Sequence, residues 1–158
     1  AVRRLSVGFC QLTDMDQGSI GIFFRPGANG SCVSDADITL RHANNIAAVV
    51  QCHNVRFTAS QMWGGGVDST MISFGRTAAE GGLVQPSGCD ITINCNGAGK
   101  GVHIKAIGAG NRIVVRHGGL VPKPVFVESG VDCRNGGNIV QSISVDSGTV
   151  VNYGVIGT

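Results

Sequence analysis

The stretch Gly88–Gly154, GCDITINCNGAGKGVHIKAIGAGNRIVVRHGGLVPKPVFVESGVDCRNGGNIVQSISVDSGTVVNYG, alternates two kinds of short apolar strand, each introduced by its own signal. One kind follows Asp or Asn: Asp90 precedes Ile91-Thr92-Ile93, Asn111 and Arg112 precede Ile113-Val114-Val115, and Asn138 precedes Ile139-Val140. The other follows a glycine or proline turn: Val102-His103-Ile104, Val125-Phe126-Val127 and Val150-Val151-Asn152. The first kind recurs after 22 and then 26 residues, the second after 23 and then 25. Two interleaved series with one shared period mark a solenoid in which every turn supplies two strands.

The N-terminal half follows the same rule less regularly. Asp37 precedes Ile38-Thr39-Leu40 and Asn54 precedes Val55-Arg56-Phe57, which extends the first series. Ile20–Phe23, Ala47–Val50 and Met71–Phe74 extend the second, and Leu5–Phe9 reads as a partial strand before them. The spacing predicts a single domain over residues 1–158 with about six turns. Two insertions interrupt it: a glycine-rich loop at Gln61–Asp68 carrying the only tryptophan, and a second at Gly75–Ser87. Loops projecting from such a scaffold are where function usually sits.

Composition agrees with an all-β chain. The 158 residues are 42% hydrophobic, enough to bury a core, and 25 glycines with 4 prolines suit tight turns. No segment carries a sustained 3.6-residue apolar period. A net charge of +2 with no basic run beyond Arg3-Arg4 makes nucleic acid and anionic membranes poor partners. No apolar run approaches the length of a membrane span, and the mixed opening segment does not read as a signal peptide. Cys10, Cys32, Cys52, Cys89, Cys95 and Cys133 lack C-x-x-C spacing, so they read as reduced core residues of a chain folded in cytoplasm.

The turn residues have a physical rationale. Asn and Asp tolerate left-handed backbone angles at a sharp bend, and their side chains, stacked at one level, can hydrogen-bond from turn to turn. Asp37, Asn54, Asp90, Asn111 and Asn138, each leading into a short strand that begins with Val or Ile, resemble the asparagine ladder of the right-handed parallel β-helix of the pectate-lyase superfamily. The resemblance covers nearly the whole chain and implies fold more than function.

Strand alternation places Lys105, Glu128 and Tyr153 in one exterior column and His103, Phe126 and Val151 in the next. A carboxylate beside a tyrosine face could hold a sugar, and Lys105 with Glu128 could equally be a surface ion pair. Trp63 is a further stacking surface for a sugar, or packs on the protein itself. Glycoside hydrolysis needs two carboxylates across a groove, and Asp68 with Glu80, one from each insertion, is the favoured catalytic pair over Asp35 with Asp37 and Glu128 with Asp132. Asn96–Gly101 lacks the Ser/Thr and the helix that a phosphate loop requires. No histidine has metal-ligand spacing, and neither metal nor cofactor is expected.

A β-helix with no evident cap, no secretion signal and no disulfide framework looks like part of a bacteriophage tailspike or tail appendage. That resemblance implies a homotrimer in the virion tail that binds, and in some members degrades, bacterial surface polysaccharide during host attachment. It also implies a piece of a longer protein or ends closed by partner chains. A polysaccharide lyase or glycoside hydrolase of the same superfamily is the second expectation, and a purely structural virion segment the third.

Overall fold

The computed structural model describes residues 5–10, 20–24, 36–40, 46–64, 69–97 and 99–155, with side chains over 48–59, 69–97 and 99–155. These residues are all-β. The strands are β1 (Leu5–Cys10), β2 (Ile20–Phe24), β3 (Ala36–Leu40), β4 (Ile46–Val50), β5 (Arg56–Gly64), β6 (Thr70–Phe74), β7 (Asp90–Gly97), β8 (Lys100–Ile104), β9 (Arg112–His117), β10 (Lys123–Val127), β11 (Ile139–Ser144) and β12 (Val150–Asn152). The only helical pieces described are single 3-10 turns at Ala78–Glu80 and Asn135–Gly137.

Alternate strands sort into two sheets. β2, β4, β6, β8 and β10 form one, every neighbour parallel, while β5, β7, β9 and β11 form a second parallel run. β1 pairs with β3, and β3 packs beside β5. The register is continuous: Ile72, Val102 and Val125 stand in line in the first sheet, and Ile91, Ile113 and Val140 in the second. Period-two burial is the cause. In β7, Ile91, Ile93 and Cys95 are buried while Asp90, Thr92 and Asn94 are half-buried. The inward residues of both sheets meet in one cluster around Phe57, Phe74, Ile91, Ile104 and Ile113. Burying each such side chain contributes roughly 1.5–3 kcal/mol.

The returns from the first sheet to the second carry the amide hydrogen bonds. Asn138 Oδ1 accepts from the Asn111 backbone N–H at 2.8 Å and from Asn111 Nδ2 at 3.0 Å. Asn111 Oδ1 accepts from the Cys89 N–H at 3.0 Å, and Asn138 Nδ2 donates to the carbonyls of Gly108 and Asn135. Both amides are buried. The column is shorter than the sequence reading proposed. In register, Asn111 and Asn138 align with Cys89 and Val55, each one residue before the strand pairing Arg56–Asp90–Arg112–Ile139. Asp90 therefore opens β7 with its carboxylate at the surface, accepting from Arg112 at 3.0 Å. Asn54 is exposed, with the one positive φ of a described non-glycine residue, 56°. Asp37 lies within β3, opposite Ser6.

Two further placements differ from the sequence reading. Gln61–Gly64 is not loop but the end of β5, which continues along β7 past a one-residue bulge between Ala59 and Met62. And β12 does not continue the second series. It folds back as a hairpin and pairs antiparallel with β11, because the Asp146-Ser147-Gly148 turn reverses the chain: Gly148, at φ 69°, donates its N–H to the Ser144 carbonyl, and the Ser144 N–H donates to the Thr149 carbonyl.

Asn138→Ala leaves the buried Asn111 N–H without an acceptor, so stability in urea should drop by about 1–3 kcal/mol. An unchanged midpoint would show that the ladder contributes nothing. Gly75, at φ 76°, would place an added Cβ 2.1 Å from the Ala106 carbonyl oxygen, so Gly75→Ala should also destabilise the fold.

Candidate functional site

Among the described residues, the outer surface at the β8 and β10 end of the first sheet brings together a histidine, a carboxylate, two lysines and an aromatic ring. Register puts His103 beside Phe126, with buried Ser73 on the other side of His103. The two rings meet edge to face, centroids 4.8 Å apart at 64°. His103 Nε2 lies 2.5 Å from Glu128 Oε2. A carboxylate can only accept, so the ring hydrogen sits on Nε2 and Nδ1 keeps its lone pair. Phe126 is half-buried, and two ammonium groups lean over its ring: Lys100 Nζ at 5.2 Å and Lys123 Nζ at 5.1 Å from the centroid. Each such contact contributes about 0.5–1 kcal/mol at an exposed site.

Electrostatics around His103 oppose one another. Burial penalises the imidazolium and dominates, the Glu128 carboxylate favours it, and the Lys100 and Lys105 charges disfavour it; the net effect is a pKa below the ordinary value. Near neutral pH the ring is an uncharged base held by a carboxylate. That is chemistry for taking up a proton from a polar partner.

Other residues singled out in the sequence fall elsewhere. Glu80 ends the 3-10 turn in the Gly75–Ser87 excursion, where Oε2 accepts from the Thr77 N–H and hydroxyl and Oε1 from Lys105 Nζ. Burial would raise its pKa, but Lys105 and Thr77 outweigh that and hold it low. A depressed carboxyl tied at both oxygens suits anchoring the excursion to β8 better than donating a proton. Asp68 and the Trp63 side chain lie outside the described residues; the Trp63 backbone sits in β5 opposite Asn96.

Lys105 and Glu128 follow directly on the registered pair Ile104–Val127, yet they bond different partners, Glu80 and His103. Tyr153 is not in their column. It follows β12 in the other sheet, donates its N–H to the Val140 carbonyl, and packs on the end of the core cluster. Val151 pairs with Ser142 rather than standing next to Phe126.

A cleft of about 330 Å³ opens beside the excursion, lined by Leu83, Gln85, Lys105, Ile107, Val131 and Asp132 among others. It holds one carboxylate and no aromatic ring, a poor match to a pyranose. Cys52, Cys89, Cys95 and Cys133 are buried, and burial pushes Cys95 up to about 12 and Cys133 up to about 11, so neither of the latter two is a nucleophile. Among the described residues, no group of three His, Cys, Asp or Glu converges to hold a metal ion. The Lys100–Phe126–Lys123 convergence escaped the sequence reading, although Lys123 follows Lys100 by 23 residues, the same interval that relates Val102 to Val125.

No family model, curated protein or solved structure matches the chain, so its functional reading rests on its own residues.

In an NMR titration His103 should show a midpoint below 6.5, and Glu128→Gln should lower it further. Since the folded pKa lies below the unfolded one, the contribution of His103 to stability is complete above about pH 6.5 and is lost as pH falls. A midpoint above 6.5 would contradict this account of the site.

Proposed function

We propose that the chain is a right-handed parallel β-helix of tailspike type, a homotrimeric virion module that binds bacterial surface polysaccharide through the outer face of β8 and β10. The interleaved order of the two parallel sheets and the amide hydrogen bonds at their returns support the fold reading. The observation that carries the function is the partly exposed Phe126 ring flanked by His103, Glu128 and two lysines on adjacent registered strands. Sugar rings present apolar C–H faces that stack on aromatic rings and hydroxyls that bond to carboxylate and imidazole. A strand pair fixes the backbone of these groups in advance, which lowers the ordering cost on binding to that of the side chains.

Depolymerisation is the second reading, favoured by the His103–Glu128 pair, a neutral imidazole oriented by a carboxylate. The first reading is preferred because a hydrolase needs a second carboxylate on this face, and Glu80 is committed to Lys105 and Thr77.

Light scattering on a sizing column should give the mass of three chains. The trimer should be retained on immobilised bacterial surface polysaccharide, and Phe126→Ala should weaken that retention about tenfold while leaving the fold intact. Release of reducing ends or of an ultraviolet-absorbing unsaturated product would move the assignment to the enzyme. A trimer that ignores every polysaccharide would make the chain a structural segment, and a monomer that also ignores them would overturn the proposal.

A further inference from the structure

Lys100 and Lys123 open β8 and β10 and are paired directly across the two strands. Like charges opposite one another on neighbouring strands destabilise a sheet. Here both ammonium groups also lean over the same ring rather than turning away from each other. The other charged groups around them are engaged: Lys105 holds Glu80, and Glu128 holds His103. Among the described residues, neither Lys100 nor Lys123 has a carboxylate within ion-pair distance. Two uncompensated cations converging on an apolar ring form a site whose missing component is an anion attached to something flat and apolar.

We infer that Lys100 and Lys123 clamp the carboxylate of a hexuronate unit whose C–H face lies on Phe126, so that the polysaccharide bound by this face is an acidic one. The inference rests on the glycan-binding reading above and narrows its substrate class. A carboxylate received by two ammonium groups makes charge-assisted hydrogen bonds and removes the repulsion between them. A neutral sugar would leave both lysines uncompensated. A small inorganic anion would leave the Phe126 face uncovered. His103 packs against this ring at 64°, and its burial keeps a third positive charge from forming there near neutral pH.

The test compares polygalacturonate, alginate and hyaluronan with the same polymers after carbodiimide-mediated reduction of their carboxyl groups, alongside dextran, dextran sulfate and neutral bacterial polysaccharides. The intact chain should bind at least one uronate polymer, more weakly as salt is raised. Carboxyl reduction, or the double substitution Lys100→Gln with Lys123→Gln, should weaken binding at least about tenfold. Without ligand, the double variant should stay folded and melt close to the parent, since it loses two cation–π contacts but also the repulsion between the lysines, and keeps both aliphatic stems. Equal binding of reduced and unreduced polymers, undiminished binding by the double variant, or retention on dextran sulfate alone would overturn the clamp. Retention on neutral polysaccharides only would overturn the clamp and leave the glycan-binding reading standing. Retention on none of the polymers would overturn both.

Discussion

The buried hydrogen bonds between Asn111 and Asn138 are the constraint on which the rest depends. A return that carries the chain from one sheet to the other must satisfy its backbone groups without a regular ladder, and these two amides do so from inside the turn. Each side chain accepts from the turn before it and donates to carbonyls nearby, so its geometry is met only when successive turns stand at one level. That level fixes which residues pair along β7, β9 and β11, and with them which residues of the core cluster face each other. A slip by one residue would carry Ile91, Ile113 and Val140 to the surface.

Stacking that excludes slippage also forces side chains at the start of neighbouring strands into line, whether or not they suit each other. Most pairings on the outer surface are favourable, as with Arg112 over Asp90 and Thr92, or His103 beside Phe126. Lys100 opposite Lys123 is the exception. Their contacts with Phe126 offset part of the repulsion, and a like-charged pair on an otherwise consistent scaffold is the pattern that binding sites produce. The lysine pair and the histidine–carboxylate pair meet at Phe126, so one ring organises both the charge and the stacking surface of the face.

The alternation of two strand series was legible because Val and Ile recur at period two behind turn residues of two different kinds, a local signal that the packing preserves. The pairing of His103 with Phe126 followed from the same 23-residue interval. Other features depended on register, which single residues do not announce. Asp90 looks like Asn111 in sequence, yet it stands one place later in its strand, and Cys89 occupies the level that Asp90 was expected to take, donating its backbone N–H to Asn111 Oδ1. At β12 the 25-residue interval pointed to the first sheet, while Asp146-Ser147-Gly148 closed a hairpin onto the second; the turn prevailed because its own backbone hydrogen bonds, with Gly148 in the left-handed region, reverse the chain onto β11. Trp63 drew attention as a loop residue because three glycines follow it, whereas the pairing of β5 with β7 runs past it to Gly64. Glu80, named as a catalytic acid from its loop position, is instead spent in holding Lys105.

The central claim is that this chain acts through the outer surface of β8 and β10. Chemical-shift mapping of backbone amides, with isotopically labelled protein titrated with oligogalacturonate, hyaluronan and neutral oligosaccharides, tests it most directly. The account predicts that the perturbed amides cluster at 100–105 and 123–128, with the largest shifts around Phe126. Perturbations confined to 83–85 and 130–135 around the cleft, or to the β12 end, would contradict it.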